Sequence, residues 1–208
     1  MNAQSSILDI DELMHLALHA TNNNQPEKAI AYLKKIIEFD GKQGKAWYLL
    51  GALHAEIGMY ARAIEEMSKA VQLEPELHTA HFQLGLLYIT SAKVDEAREA
   101  WEPLDELGEE NSLFLFKRGM LSLADDEFET CIGDLNKGIA LNNFNANLNN
   151  DMQKIIVAAE QALNANRTQG EGGKKPETAK KPEKDEKSKG GKHVLLSAYQ
   201  QQNYDEDN

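Results

Sequence analysis

Small and large apolar positions recur along most of this chain with a spacing of 34 residues. Ala17, Gly51, Gly85 and Gly119 form one column. Ala29, Ala63, Ala97 and Cys131 form a second, and Leu33, Met67, Trp101 and Leu135 a third. Three columns that hold one period through four copies, with no insertion, mark an internal repeat. The spacing within each copy predicts two helices joined by a short turn. Small residues in the first two columns let two helix backbones approach closely. The large residues of the third column fill the space beside them. One such hairpin cannot bury its apolar face alone, so stacked neighbours must supply the stability. No proline lies between Pro26 and Pro75, so long helices are permitted, and Pro75 is expected to end the second helix of its copy.

The columns set the expected boundaries: a lead-in over 1–9, then copies over 10–43, 44–77, 78–111 and 112–145. Leu148, Met152, Ile155, Ile156, Ala159 and Leu163 continue as a helical stripe, which predicts a single capping helix over 146–166. Residues 167–192 hold Lys, Glu, Gly and Pro and no large apolar residue, so a disordered linker is expected there. An apolar cluster, Val194, Leu195, Leu196 and Tyr199, follows within residues 193–208 and reads as a candidate short binding motif.

The second copy contains Trp47-x-x-Leu50-Gly51-x-x-His54, then Ala63-x-x-x-Met67, then Pro75. This resembles the tetratricopeptide-repeat (TPR) signature, W-x-x-L-G-x-x-Y, A-x-x-x-F, P. The third copy offers His81, Leu84, Gly85, Tyr88, Ala97 and Trp101 in those columns. The first offers Leu13, Leu16, Ala17, Ala20, Ala29 and Leu33, and the fourth Leu115, Arg118, Gly119, Ser122, Cys131 and Leu135. Arg118 departs from the expected Leu. The resemblance implies an all-α fold: a right-handed α-solenoid of four TPR helical hairpins, closed by the capping helix and followed by the tail.

Charge narrows the partners. Residues 1–166 hold 13 Lys/Arg and 26 Asp/Glu, whereas 167–192 hold 9 and 5. An acidic body repels phosphate backbones, which argues against nucleic acid. The lone Cys131 excludes an intrachain disulfide. Residues 1–6 carry no basic residue followed by an apolar run, and no stretch approaches 18 uninterrupted apolar residues. Neither a signal peptide nor a membrane span is expected, and the reading is cytoplasmic.

Candidate chemistry is sparse. His15 and His19 lie four apart and His78 and His81 three apart, spacings that share a helix face. His54 and His81, however, occupy signature columns and read as packing residues, and no carboxylate or thiol cluster completes a metal site. Cys131 reads as a buried substitute for Ala. No phosphate loop, serine elbow or zinc-protease pattern occurs. No metal, cofactor or catalytic residue is expected, and the chain is read as a non-enzyme.

The informative stripe is the one beside the signature columns, at positions 5, 9 and 12 of each copy, about 100° around the first helix. It reads Met14, Leu18, Thr21; Tyr48, Ala52, Ala55; Phe82, Leu86, Ile89; Phe116, Met120, Leu123. In TPR proteins this stripe lines the concave groove, so the resemblance implies a peptide-binding surface that here is almost wholly apolar. Winding of the repeats would bury part of it. The TPR clamp for chaperone C-termini uses Lys, Asn and Arg where this chain has Met14, Leu18, Leu49, Thr79 and Gln83, so that ligand is rejected. The expected role is an adaptor or chaperone, similar in kind to bacterial TPR chaperones, that holds a protein or peptide with apolar anchors. The chain's own tail is a candidate ligand. The alternative is a self-assembling subunit of a larger complex, so the oligomeric state stays open.

Overall fold

The computed structural model describes residues 9–170. The stretch 171–192 and the 193–208 motif lie outside the described residues. The described fold is all-α. Helices α1 (Ile10–Asn22), α3 (Gly44–Glu56), α5 (His78–Thr90) and α7 (Ser112–Ala124) alternate with α2 (Pro26–Phe39), α4 (Tyr60–Leu73), α6 (Val94–Trp101) and α8 (Phe128–Leu141). A longer helix, α9 (Ala146–Gly170), follows and runs beyond the expected end at Asn166.

Local chemistry fixes the helix ends. Asp9 and Glu12 form a reciprocal capping box at α1, Pro26 opens α2, and the side chains of Asn111 and Asn145 accept from Leu113 N (2.8 Å) and Leu148 N (2.9 Å). Helix α4 stops at Leu73, ahead of Pro75. Helix α6 is short, 8 residues against 14 in α2, α4 and α8. Pro103 lacks an N–H, and its ring clashes with the carbonyl four residues back, so the α-helix gives way to a 3-10 helix over Glu102–Leu107. The 34-residue period gives no hint of this break.

Two compact units meet within that 3-10 helix, one running to Asp105 and the next beginning at Glu106. In the first, each helix from α1 to α5 packs on its successor. In the second, α7 packs on α8 and α8 on α9. Position 24 of the second, third and fourth copies sits directly on the glycine of position 8. A Cβ on Gly51 would lie 2.8 Å from Met67 Cγ, one on Gly119 2.7 Å from Leu135 Cδ2, and one on Gly85 within the indole of Trp101. Met67, Trp101 and Leu135 are fully buried, and burial of this kind stabilises by about 1.5–3 kcal/mol per side chain.

Each hairpin turns through one residue in the left-handed region, at the same repeat position: Asn24 (φ 55°), Gly58 (φ 80°), Ala92 (φ 58°) and Asp126 (φ 60°). Only one of the four is glycine, so the turn geometry is set by the hairpin rather than by the residue. At the end of the second unit, α9 buries Leu148, Met152, Ile156 and Ala159, while Ile155 and Leu163 are half-buried. A lattice of asparagine amides ties α8 to α9: Asn142 donates to Asn149 Oδ1 (2.8 Å), and Asn149 donates back to Asn142 O (2.9 Å).

Candidate functional site

The stripe at positions 5, 9 and 12 divides sharply by burial. In the first unit, α3 buries all of its share: Tyr48, Ala52 and Ala55. On α5, Phe82 is buried and stacked on Trp101 with centroids 5.9 Å apart, and the Trp101 indole N–H donates to Phe82 O at 2.8 Å. Leu86 and Ile89, further along α5, are half-buried, as are Met14, Leu18 and Thr21 on α1. In the second unit, Phe116 is fully buried against the bare backbone of Gly138, Met120 is buried, and Leu123 is half-buried. The three aromatic rings therefore serve the interior in the isolated chain. The apolar surface left within reach of a ligand is Met14 and Leu18 on α1, Leu86 and Ile89 on α5, and Leu123 on α7. The aromatic column was legible in the sequence, but its burial was not, because position 5 reads the same whether a neighbouring helix covers it or not.

Of the residues at the chaperone-clamp positions, Met14 and Leu18 are half-buried and Leu49 is buried. Thr79 Oγ1 and Gln83 Oε1, one turn apart on α5, are buried polar atoms without a hydrogen-bond partner. They carry no charge to offer a carboxylate.

A second pattern, which the repeat columns do not foretell, concerns position 23. Three of the polar residues that stand where the signature has apolar or aromatic ones, His54, His81 and Arg118, share a partner position. Each turns its donor to position 23 on the partner helix. His54 Nδ1 meets Glu66 Oε2 at 2.5 Å, with both side chains buried. His81 Nδ1 meets Ala100 O at 2.9 Å, and its Nε2 meets Pro75 O at 3.0 Å. Arg118 donates to both carboxylate oxygens of Asp134, at 2.6 and 2.7 Å, and to Glu109 at 2.6 Å. Desolvation raises the Glu66 pKa above its usual value near 4.5, against the opposing hydrogen bond from His54. The hydrogen bond to Asp134, then that to Glu109, holds Arg118 even more firmly protonated than usual.

These histidines are thus committed to hydrogen bonds inside the hairpins, while His15 and His19 lie exposed on α1. Among the described residues, no group of three His, Cys, Asp or Glu side chains is placed to hold a metal ion. Cys131 is buried, and desolvation, with Asp134 nearby, pushes its thiol up to about 11, which suppresses the nucleophilic thiolate at neutral pH. Among the described residues no helix is long and apolar enough to cross a membrane.

Comparison with known proteins agrees with this architecture. The family model described as Tetratricopeptide repeat matches residues 44–77, the second copy. No curated protein matches the sequence. A crystal structure of MamA is similar at 22% identity and TM-score 0.56, covering 66% of this chain and 81% of its own. The MamA 41-end structure from Desulfovibrio magneticus RS-1 is similar at 17% identity and TM-score 0.55, covering 78% and 95%. YrrB, a TPR protein with an unusual peptide-binding site, is similar at 18% identity and TM-score 0.57, covering 76% and 92%. At these identities the likeness is one of fold.

Proposed function

Because this chain is a tetratricopeptide-repeat protein, shown by the repeat at residues 44–77 and by the fold it shares with solved TPR structures, we propose that it is a non-catalytic interaction module for an apolar peptide segment. The observation that carries the reading is the half-buried apolar surface of Leu86 and Ile89 on α5, the helix that also carries the buried Phe82 stacked on Trp101. Met14 and Leu18 offer a similar surface on α1. A ligand with two or three aliphatic anchors would gain about 1.5–3 kcal/mol per anchor buried there. The acidic body disfavours nucleic acid as a partner, and an adaptor or chaperone in the cytoplasm is the setting this chemistry fits. The peptide-binding site of YrrB supports a peptide ligand for the shared fold.

The test is selection from a displayed peptide library on the wild-type chain, with the Leu86→Glu/Ile89→Glu variant as counter-target. Both residues are half-buried, so the fold should survive, whereas Phe82→Glu would bury a charge against Trp101. Enriched peptides rich in apolar anchors, binding the variant at least about tenfold more weakly, support the reading; a tenfold change is about 1.4 kcal/mol. Equal binding to both proteins refutes it. Self-assembly is the second reading, favoured by the strong exposure of Phe39 (60%) and Phe144 (59%). Light scattering across concentration separates the two.

A further inference from the structure

The α3–α4 turn differs from its three counterparts. The repeat aligns Asn23-Asn24-Gln25, Ile57-Gly58-Met59, Ser91-Ala92-Lys93 and Asp125-Asp126-Glu127. All four share one backbone geometry, with the central residue left-handed. Three of them carry polar, charged or small residues. The second places Ile57 (51% exposed) and Met59 (42%) in solvent and is followed by Tyr60 (48%). These side chains contribute little to the core, and a polar turn would fold equally well, as the other copies show. A contiguous apolar, Met-containing and aromatic patch of this kind is the composition of an interaction surface.

We propose that this turn docks the chain's own segment Val194–Tyr199, within one molecule. Charge selects that occupant. Residues 9–105, which carry the turn, hold 16 Asp/Glu against 9 Lys/Arg. A second copy of so acidic a body approaches against repulsion, whereas an apolar segment on a cationic lead is attracted. Val194–Tyr199 fits that description: it follows residues 167–192, with 9 Lys/Arg against 5 Asp/Glu, and the acids of the chain end, 205–207, lie beyond it. It also carries Val194, Leu195, Leu196 and Tyr199, the sizeable apolar cluster that follows α9. Ile57, Met59 and Tyr60 offer too little surface for a tight complex between separate molecules. A tethered segment needs much less, because the tether supplies an effective concentration of up to roughly millimolar. The docked tail covers the exposed turn and yields to any partner segment that binds the turn more tightly. The inference does not depend on the α5 surface and uses none of its residues.

Amide NMR on the full chain tests it through two exposed-site variants, Leu195→Asp/Leu196→Asp in the tail and Ile57→Asp/Met59→Ser in the turn. The expected result is reciprocal. The tail variant shifts the amide signals of Ile57, Gly58, Met59 and Tyr60, and the turn variant shifts those of residues 194–199. In the wild type, amide exchange at 195–199 should run about fivefold slower than in the turn variant, as a dissociation constant of a few tenths of a millimolar gives at millimolar effective concentration. Absence of reciprocal shifts overturns the proposal. Shifts at Leu86 and Ile89 in place of the turn overturn it too, since the tail then sits on α5. Shifts that vanish on dilution show docking between copies and overturn the intramolecular form.

Discussion

The second and fourth hairpins, α3–α4 and α7–α8, are built on the same columns and place an acid at the same position 23, yet they answer it differently. Glu66 is sealed in with His54, whose side chain is 3% exposed. Asp134 is equally enclosed, but its partner Arg118 is 34% exposed and reaches out to Glu109 at the surface. One hairpin holds an imidazole and an acid whose burial favours the neutral form. The other holds a permanent cation with one end in water. The repeat therefore dictates where a polar residue must find its partner, while the chemistry of the pair is free to vary.

Removing the cation should separate the two most strongly. Arg118→Leu restores the signature residue but strands the buried Asp134 carboxylate, and should cost about 3 kcal/mol, read from the urea midpoint at constant slope. Adding Asp134→Ala should recover most of that loss, because an apolar pair of suitable volume is often as stable as a buried ion pair. A single variant as stable as wild type would show that the pair does no structural work.

The same cut in the second hairpin should be milder and depend on pH. His54→Leu leaves Glu66 without its partner, but desolvation already favours its neutral form, so a loss of about 1–2 kcal/mol is expected at neutral pH. The folded pKa of Glu66 lies above the usual value near 4.5. Its contribution to stability is therefore complete below that value and is lost as pH rises through the folded pKa. Glu66→Gln cannot ionise, so thermal melts from about pH 4 to about pH 7 should show it gaining on the wild type as pH rises. Parallel curves would mean that Glu66 titrates alike in the folded and unfolded chains.

The turns sharpen the contrast on a smaller scale. A Cβ at Gly58 meets nothing within 4 Å, so Gly58→Ala isolates the backbone cost of the left-handed residue, about 1 kcal/mol. Asp126→Gly, at the same turn of the fourth hairpin, should gain about 0.5 kcal/mol, since relief of the backbone outweighs the added entropy of the unfolded chain. If both substitutions destabilise, side-chain contacts govern the turn of the fourth hairpin. Position 20 differs too, Ala63 in one hairpin and Cys131 in the other. Cys131→Ala should change stability by less than about 1 kcal/mol. The wild-type thiol, with a pKa near 11, should react with a thiol reagent at neutral pH only as fast as the hairpin opens. Labelling at the rate of an exposed thiol would contradict the burial of Cys131.

The sequence by itself determined the architecture. A period of 34 residues in small and large columns requires paired helices, and the small residues of position 8, Ala17, Gly51, Gly85 and Gly119, could be read as sites of close approach. Pro103 was legible too, as a helix breaker, although periodicity alone passed over it. The candidate surface was legible only as composition. Tyr48, Phe82 and Phe116 share a column with no mark of which neighbour covers them, and only the packed helices decided that the rings face inward while Leu86 and Ile89 stay within reach. Tertiary structure likewise decided that His54, His81 and Arg118 all turn to position 23. They lie 12, 19 and 16 residues from their partners there, on facing helices of a hairpin. Helical periodicity reports which face of one helix a residue occupies. It is the approach of a second helix that selects the partner, and that distance is settled by packing.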